Sequence, residues 1–554
     1  MKFFYLVLFT TLIFNLYAQS PNIPIDQDYY HLIDRIDVLS GKSNFHSTIK
    51  PYSRTSVGKL LDKVTLDNSV THKGNAWLYY ENKDYTKTSS THQHSPLFSK
   101  VYKQSANLLS VYDEKLTLHL NPLVSASVGR ESGTHSGSLY RNSRGVEAFG
   151  DIVGKLGFYT SVTENQVVFP TYVQDYTETN TVIPGEAFWK EFGDRGVDYF
   201  HARGHIAFNL LEPIQLQFGY DRQFIGNGIR SLILSDFSPP SLYLKLTTDV
   251  WRISYTNLFR ELTADILTSG GVPIGNNTFS KKYMALHHLN FHVSKKLDVG
   301  LFESVIFQRN DSTGMELNYL TPLIFYRSVE QNLGSPDNAL LGFDFKWNFA
   351  RKFSAYGQLV LDELVVKEVL SGNGWWANKQ AGQLGLKYYD ALGIEGLDLQ
   401  GELNIVRPYM YTHTESSTSY THYRQALAHP MGANFYEMMG VVNYKPLSKF
   451  SVKGVLQYSK FGADTATSNY GGNLLLNNAD REEGSDYGNK IAQGVTTKLL
   501  LLDLTLSYKI RNNWFIDLRQ VVRDVSSQDE SAEMRSYIID LGIRLHIGRN
   551  NYHF

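Results

Sequence analysis

Period-two alternation of apolar residues, running from about residue 114 almost to the end, is the feature that most limits what this chain can fold into. In 499–510, Leu500, Leu502, Leu504, Leu506, Tyr508 and Ile510 alternate with Leu501, Asp503, Thr505, Ser507 and Lys509. In 534–548, Tyr537, Ile539, Leu541, Ile543, Leu545 and Ile547 are set against Asp540, Gly542, Arg544 and His546. In 214–222, Ile214, Leu216, Phe218 and Tyr220 stand against Gln215, Gln217, Gly219 and Asp221. Successive strand side chains point to opposite faces, so each segment has one face suited to lipid and one suited to water or a polar lumen.

The links between such segments separate a membrane barrel from a soluble sandwich or propeller. Candidate strands fall near 115–129, 142–152, 155–164, 200–211, 214–224, 241–247, 250–262, 283–294, 297–309, 339–350, 353–366, 380–390, 396–408, 435–445, 450–461, 491–510, 513–524 and 534–548. Short links such as 153–155, 212–213, 295–296, 351–352, 446–448 and 512 alternate with long ones at 165–199, 225–240, 263–282, 310–338, 409–434 and 462–490. Tight periplasmic turns alternating with long extracellular loops are the layout of outer-membrane barrels. The expected fold is therefore all-β: a transmembrane antiparallel barrel of about 18 strands over 114–554, with both chain ends periplasmic. A closed barrel is also the one β architecture that leaves no unpaired backbone in hydrocarbon.

Composition fits. Tyr 36 and Phe 31 suit the interfacial girdles of such a barrel, and Cys 0 rules out disulfides and thiolate chemistry. A formal charge of −1 gives no reason to expect a nucleic-acid partner. After residue 18 no segment offers the roughly 20 apolar residues of a helical span. Residues 1–18 read as a secretory signal: Lys2, an apolar core over 3–14, and cleavage between Ala18 and Gln19. Residues 19–113 are expected to form a periplasmic helical segment that leads into the barrel. Tyr29, Leu32, Ile33, Ile36 and Leu39 recur at helical spacing, with Asp26 as cap and Gly41 as stop. Ser53 caps a second helix striped by Val57, Leu60, Leu61 and Val64. Phe554 is the kind of terminal aromatic that barrel-assembly machinery reads, although the last alternating strand ends near Ile547.

No catalytic motif is present: there is no G-x-S-x-G, no H-E-x-x-H and no phosphate-binding loop, so neither enzyme activity nor a cofactor is expected. His287 and His288 are strand neighbours and point apart, which does not make a metal pair. The oxygen-rich loop 476–489, with Asp480, Glu482, Glu483 and Asp486, lacks EF-hand spacing and reads as solvated, so no metal is assigned. The loop aromatics are more informative. Trp189, Trp375, Trp376, Tyr409 and Tyr411, with Arg424, combine rings and hydrogen-bonding groups of the kind that suits sugars, although girdle and loop packing use the same residues.

The stretch 220–244 reads YDRQFIGNGIRSLILSDFSPPSLYL. It resembles the Wzi-type capsule assembly proteins, through Asp221, Arg222, Phe224, Gly226, Gly228, Ser231, Leu232, Ile233, Leu234, Ser235, Pro239 and Pro240. Stretches 121–131, 142–165, 318–347 and 427–434 are similar to the Bacteroidetes branch of that family, which includes RemB-type gliding-motility proteins. The resemblance implies an eighteen-stranded barrel partly closed by periplasmic helices, with a lectin-like role in organising or retaining surface polysaccharide. Two alternatives stand beside it: a gliding-motility or secretion-associated barrel acting through envelope or motility proteins, and a porin-like channel. Gly226 and Gly228 read as hinges where the chain leaves the wall and folds inward, with Pro239 and Pro240 closing the motif. Asp221 is expected to face the lumen and Arg222 to reach headgroups or loops, either as loop support or as ligand contacts.

Overall fold

The computed structural model describes residues 20–41, 45–65, 75–86, 106–267, 279–309, 316–322, 337–363 and 365–554. The expected leader at 1–18 lies outside the described residues, as do parts of the links 263–282 and 310–338 and the side chain of Val64.

An antiparallel barrel of 18 strands closes on itself. In chain order the strands are β1 (Leu116–Gly133), β2 (Gly137–Ile152), β3 (Leu156–Val168), β4 (Gly196–Leu211), β5 (Ile214–Asp221), β6 (Ser241–Val250), β7 (Ile253–Leu267), β8 (Phe279–Ser294) and β9 (Leu297–Phe307). They continue as β10 (Asn338–Phe349), β11 (Phe353–Leu361), β12 (Gln380–Tyr388), β13 (Leu397–Val406), β14 (Phe435–Leu447), β15 (Phe450–Ala463), β16 (Val495–Arg511), β17 (Trp514–Ser527) and β18 (Met534–Leu545). Each strand pairs with its sequence neighbours, and β18 closes on β1 from Ser536↔Gly133 to Leu545↔Val124. The alternation works as the sequence predicts: on β16 Leu500 and Leu502 are 49% and 47% exposed outward, while Leu501 and Asp503 are buried inward.

Every expected strand is present in order, and the differences lie at the tips. β1 runs to Gly133 rather than 129, β2 starts at Gly137 rather than 142, and β4 starts at Gly196 rather than 200. These extensions all lie at the long-loop end. There the wall rises above the apolar band, so nothing forces outward residues to be apolar and the sequence pattern fades.

The chain before the barrel folds against its inner wall at the short-turn end. Helix α1 (Tyr30–Ser40) and helix α2 (Arg54–Thr65) share a small core with helix α3 (Asn75–Glu81): Tyr29, Ile33, Ile36, Val57, Leu61 and Trp77 pack together and onto Phe515 of β17. Gly41 ends α1 in the left-handed region at φ 59, and Ser53 Oγ accepts the Ser56 N–H at 3.1 Å, both as expected. Asp26 does not cap α1. The helix begins at Tyr30, because Asp26 is held by Arg203 of β4 at 3.0 Å and Asp28 by Arg544 of β18 at 2.6 Å.

The other side of α1 is fastened around the wall. Asp34 meets Lys387 of β12 at 2.7 Å and Asp37 meets Lys346 of β10 at 2.6 Å. Arg35 pairs with Asp390 at 2.6 Å and with Asp398 of β13, which also accepts His31 at 2.8 Å. A polar lumen thus accepts the charged side of the helix by pairing its charges with those of the wall, while the apolar stripe packs on the other helices.

The last residues also turn inward. Strand β18 ends at Leu545, but His553 reaches Asp503 of β16 at 2.8 Å, and the Phe554 ring packs on Tyr176 at 4.8 Å between centroids. Phe554 is therefore a filling residue of the lumen rather than the end of a wall strand, and the chain end is not at the short-turn mouth.

Replacing Asp398 by Asn removes the partner Arg35 shares with His31 while Asp390 still holds one side of the guanidinium. The expected cost is about 1–3 kcal/mol of local stability. Hydrogen exchange over 30–40 should accelerate on the order of tenfold while the barrel strands stay protected; unchanged exchange in α1 would contradict this anchoring.

Candidate functional site

Beyond β5 the chain leaves the wall and crosses the lumen. Phe224 and Ile225 form a short antiparallel ladder with Lys50 and Ile49, the Gly226 N–H donates to Thr48 O at 2.7 Å, and Lys50 Nζ donates to Gly226 O at 2.7 Å. Gly226 has φ 143, and a Cβ there would lie 2.5 Å from Gln358 Nε2. At Gly228 a Cβ would lie 2.4 Å from a Glu402 carboxylate oxygen. Both glycines are therefore needed, because the backbone passes within contact of wall side chains.

Those wall side chains satisfy the backbone they approach. Glu402 on β13 accepts the N–H groups of Ile229 at 2.6 Å and Arg230 at 3.0 Å. Gln358 on β11 accepts from Leu232 N–H at 2.7 Å and donates to Ile225 O at 2.9 Å. Leu232, Ile233 and Leu234 are fully enclosed, forming an apolar core inside the barrel with Met410, Leu427 and Phe435.

The long link 407–434 closes over this core. Tyr411 donates its hydroxyl to Leu232 O at 2.7 Å and Tyr420 donates to Ile233 O at 2.8 Å. Pro239 O accepts Arg260 at 3.2 Å. The His422 ring bridges strand β7 and the inward segment: Thr263 N–H donates to Nδ1 at 2.9 Å, so Nε2 carries the proton and donates to Pro240 O at 3.2 Å. Burial, then the nearby Arg260, holds the His422 pKa well below the usual histidine range.

The candidate residues named from sequence separate into two sets. Asp221 is buried on the lumen face, 4.0 Å from His205. Arg222 donates to Gly185 O and to Glu186 at 2.5 Å, so it ties down the loop over 169–195. Tyr409 and Tyr411 are buried in strained left-handed backbone, with φ 64 and 70. The Tyr409 hydroxyl donates to Asn469 O at 2.9 Å, and burial pushes its pKa up to about 12. Trp189 is half-buried against the cluster of Phe169, Tyr172 and Val197, and Arg424 is half-buried at the turn of the 421–426 hairpin. These residues build the cap.

Trp375 and Trp376 lie elsewhere, on a surface made by two loops. The Gly488 N–H donates to Asn373 O, Asn489 N–H to Gly374 O and Trp376 N–H to Asp486 O, each at 2.9 Å. Gly374 takes φ 72, where a Cβ would meet the Asn489 backbone at 2.8 Å. The Arg481 guanidinium sits 4.0 Å from the centre of the Trp376 ring and is held by Asp486 at 2.6 Å. Tyr487, next in sequence to Asp486, is 57% exposed.

Two half-exposed indoles, a flat guanidinium, a free phenol edge and nearby amides can grip a ring that offers CH faces and hydroxyl edges. Sequence reasoning missed Arg481 and Tyr487. Their loop read as a solvated acidic stretch, and nothing local reveals that it zips onto 373–376. Asp486 is engaged by Arg481, and among the described residues no group of three or more His, Asp or Glu is placed to hold a metal ion. His288 meets Asp344 at 2.6 Å and His287 meets Glu303 at 3.2 Å, so the two rings serve different partners.

No protein-family model matches the chain, and no curated protein sequence matches it. Among solved structures it is similar to Wzi of Escherichia coli, described as an outer-membrane protein involved in group 1 capsule assembly and a carbohydrate-binding β-barrel. That likeness has TM-score 0.54 at 13% identity and covers 96% of this chain and 100% of Wzi. The chain also matches two Pseudomonas aeruginosa proteins, OccK8 and OprD, each at TM-score 0.41 and 10% identity over 77% of this chain and 98% and 95% of theirs. The likeness to Wzi shows the fold: this is an outer-membrane-type β-barrel.

The His422 bridge gives the cap a pH dependence of definite sign. The folded pKa lies below the free value of 6.5, so the bridge contributes fully above about pH 6.5 and is lost as pH falls through the depressed value. The protection factors over 407–434, which allow for the slower intrinsic exchange at low pH, should fall on acidification, and His422→Gln, whose amide carries both a donor and an acceptor, should flatten that fall. Matching profiles in the two proteins would contradict the bridge.

Proposed function

We propose that this chain is an outer-membrane barrel that organises or retains surface polysaccharide, binding it at the long-loop surface without turning it over. The observation that carries the reading is the placement of Trp375, Trp376, Arg481 and Tyr487 together on that surface, above a lumen occupied by the chain's own segments. Residues fastened inside the barrel leave binding, rather than passage, as the work available to the outer face.

In this reading the leader at 1–18 directs export, residues 19–113 plug the periplasmic mouth, and the long loops face outward. The motif 220–244 then supports the outer face rather than touching glycan: Arg222 steadies one loop, Pro239 and Pro240 anchor another, and Tyr409 and Tyr411 buttress the cap from beneath. The motif resemblance to capsule assembly proteins and the fold shared with Wzi both support the assignment.

Trp376→Ala combined with Arg481→Ala should leave the barrel folded and export intact while releasing polysaccharide into the medium. A lost stacking contact of about 1–1.5 kcal/mol corresponds to roughly tenfold weaker binding of purified glycan. Cell-bound polysaccharide that stays unchanged in a full deletion, with surface spreading lost, would overturn the proposal in favour of a motility role.

A further inference from the structure

A cavity of about 450 Å³ lies inside the short-turn end, between the wall of β14–β16, helix α1, the inward segment and the final residues. Its volume falls in the range of small-molecule pockets, roughly 300–1,000 Å³. Lysines and arginines outnumber aspartates and glutamates along its lining, eleven to six. Five of those six acids are already committed: Asp26, Asp28, Asp34, Glu186 and Asp398 each hold an arginine or lysine in the contacts that fasten the plug and loops.

What is left over is a group of like charges. Lys445 on β14, Lys449 in the β14–β15 turn, Lys453 on β15 and Lys509 on β16 all line the cavity. Registry brings them together: Lys453 lies opposite Asn443 on β14 and Thr505 on β16, and the Lys509 N–H donates to Lys449 O at 2.7 Å. With strands about 4.8 Å apart and about 3.4 Å per residue along them, the four stems arise within roughly 15 Å of one another. Among the described residues, none of the four ammonium groups has an ion pair or hydrogen bond; Lys509 leans over the Trp77 ring at 5.8 Å.

Clustered like charges in a low-dielectric cleft repel one another and concentrate counter-ions of opposite sign. The neighbouring groups narrow the kind of anion. Gln400, Asn443, Ser448, Ser451, Asn550 and Asn551 line the same space, offering amides and hydroxyls to a hydroxylated ligand. We infer that this vestibule is a binding site for an acidic oligosaccharide, its carboxylates held by Lys445, Lys449, Lys453 and Lys509 and its hydroxyls by the surrounding amides. The inference does not depend on glycan binding at the long-loop surface, because it concerns the opposite end of the barrel and different residues.

The test is amine acetylation of the full-length protein in detergent, read residue by residue by mass spectrometry, with tri-galacturonate, maltotriose or inorganic tripolyphosphate as probes. Tri-galacturonate is expected to protect the four lysines, with protection weakening as salt is raised, and maltotriose is expected not to. Protection by maltotriose equal to that by tri-galacturonate would overturn the charge argument. Protection by tripolyphosphate but not by tri-galacturonate would overturn the saccharide assignment. The variant K445Q/K453Q should bind tri-galacturonate at least tenfold more weakly, and unchanged affinity in a correctly folded variant would also sink the site. Lysine protection should persist in the variant carrying Trp376→Ala and Arg481→Ala, which separates failure here from failure at the outer surface.

Discussion

Everything in this molecule follows from the requirement that no backbone N–H or C=O be left unpaired where water is absent. Eighteen strands meet it by closing into a ring, and closure fixes the alternation of apolar outside and polar inside. A ring of that many strands encloses a space too wide for its own inward side chains to fill. The polar inner face must therefore meet water or more protein, and in this chain it meets protein.

Filling a lumen with backbone reintroduces the original problem, because each entering segment brings its own donors and acceptors. The solution is local and repeated. Glu402 and Gln358 act as surrogate strand edges for 225–232, Tyr411 and Tyr420 cover the next two carbonyls, and His422 joins the closing loop to Pro240. At the opposite end α1 is received by charge pairing with β4, β10, β12, β13 and β18, counting the turn that precedes it. Buried ion pairs contribute little net stability but penalise misplacement, so this arrangement fixes where the helix sits more than how tightly the protein folds.

The wall was legible in the sequence because lipid imposes a period-two pattern that water does not. That is why β16 and β18 could be read directly, and why strand tips such as 130–133 and 137–141 could not. Helix α1 was legible from its stripe, but its start was not, since Asp26 and Asp28 answer to arginines far away in sequence. Loop aromatics posed the harder problem. A tyrosine in a polar loop looks the same whether it faces solvent, like Tyr487, or is buried, like Tyr409 and Tyr411. The outer surface itself depends on two distant loops zipping together at 373–376 and 486–489, and no local signal announces that pairing.

The chain occupies its own lumen, so the barrel is obstructed rather than open. Single-channel recording of the purified protein in planar bilayers tests this most directly. The intact chain is expected to show no steady ion conductance. A sustained open-pore current from the unaltered protein, of the size expected for an unobstructed barrel of this strand number, would contradict it.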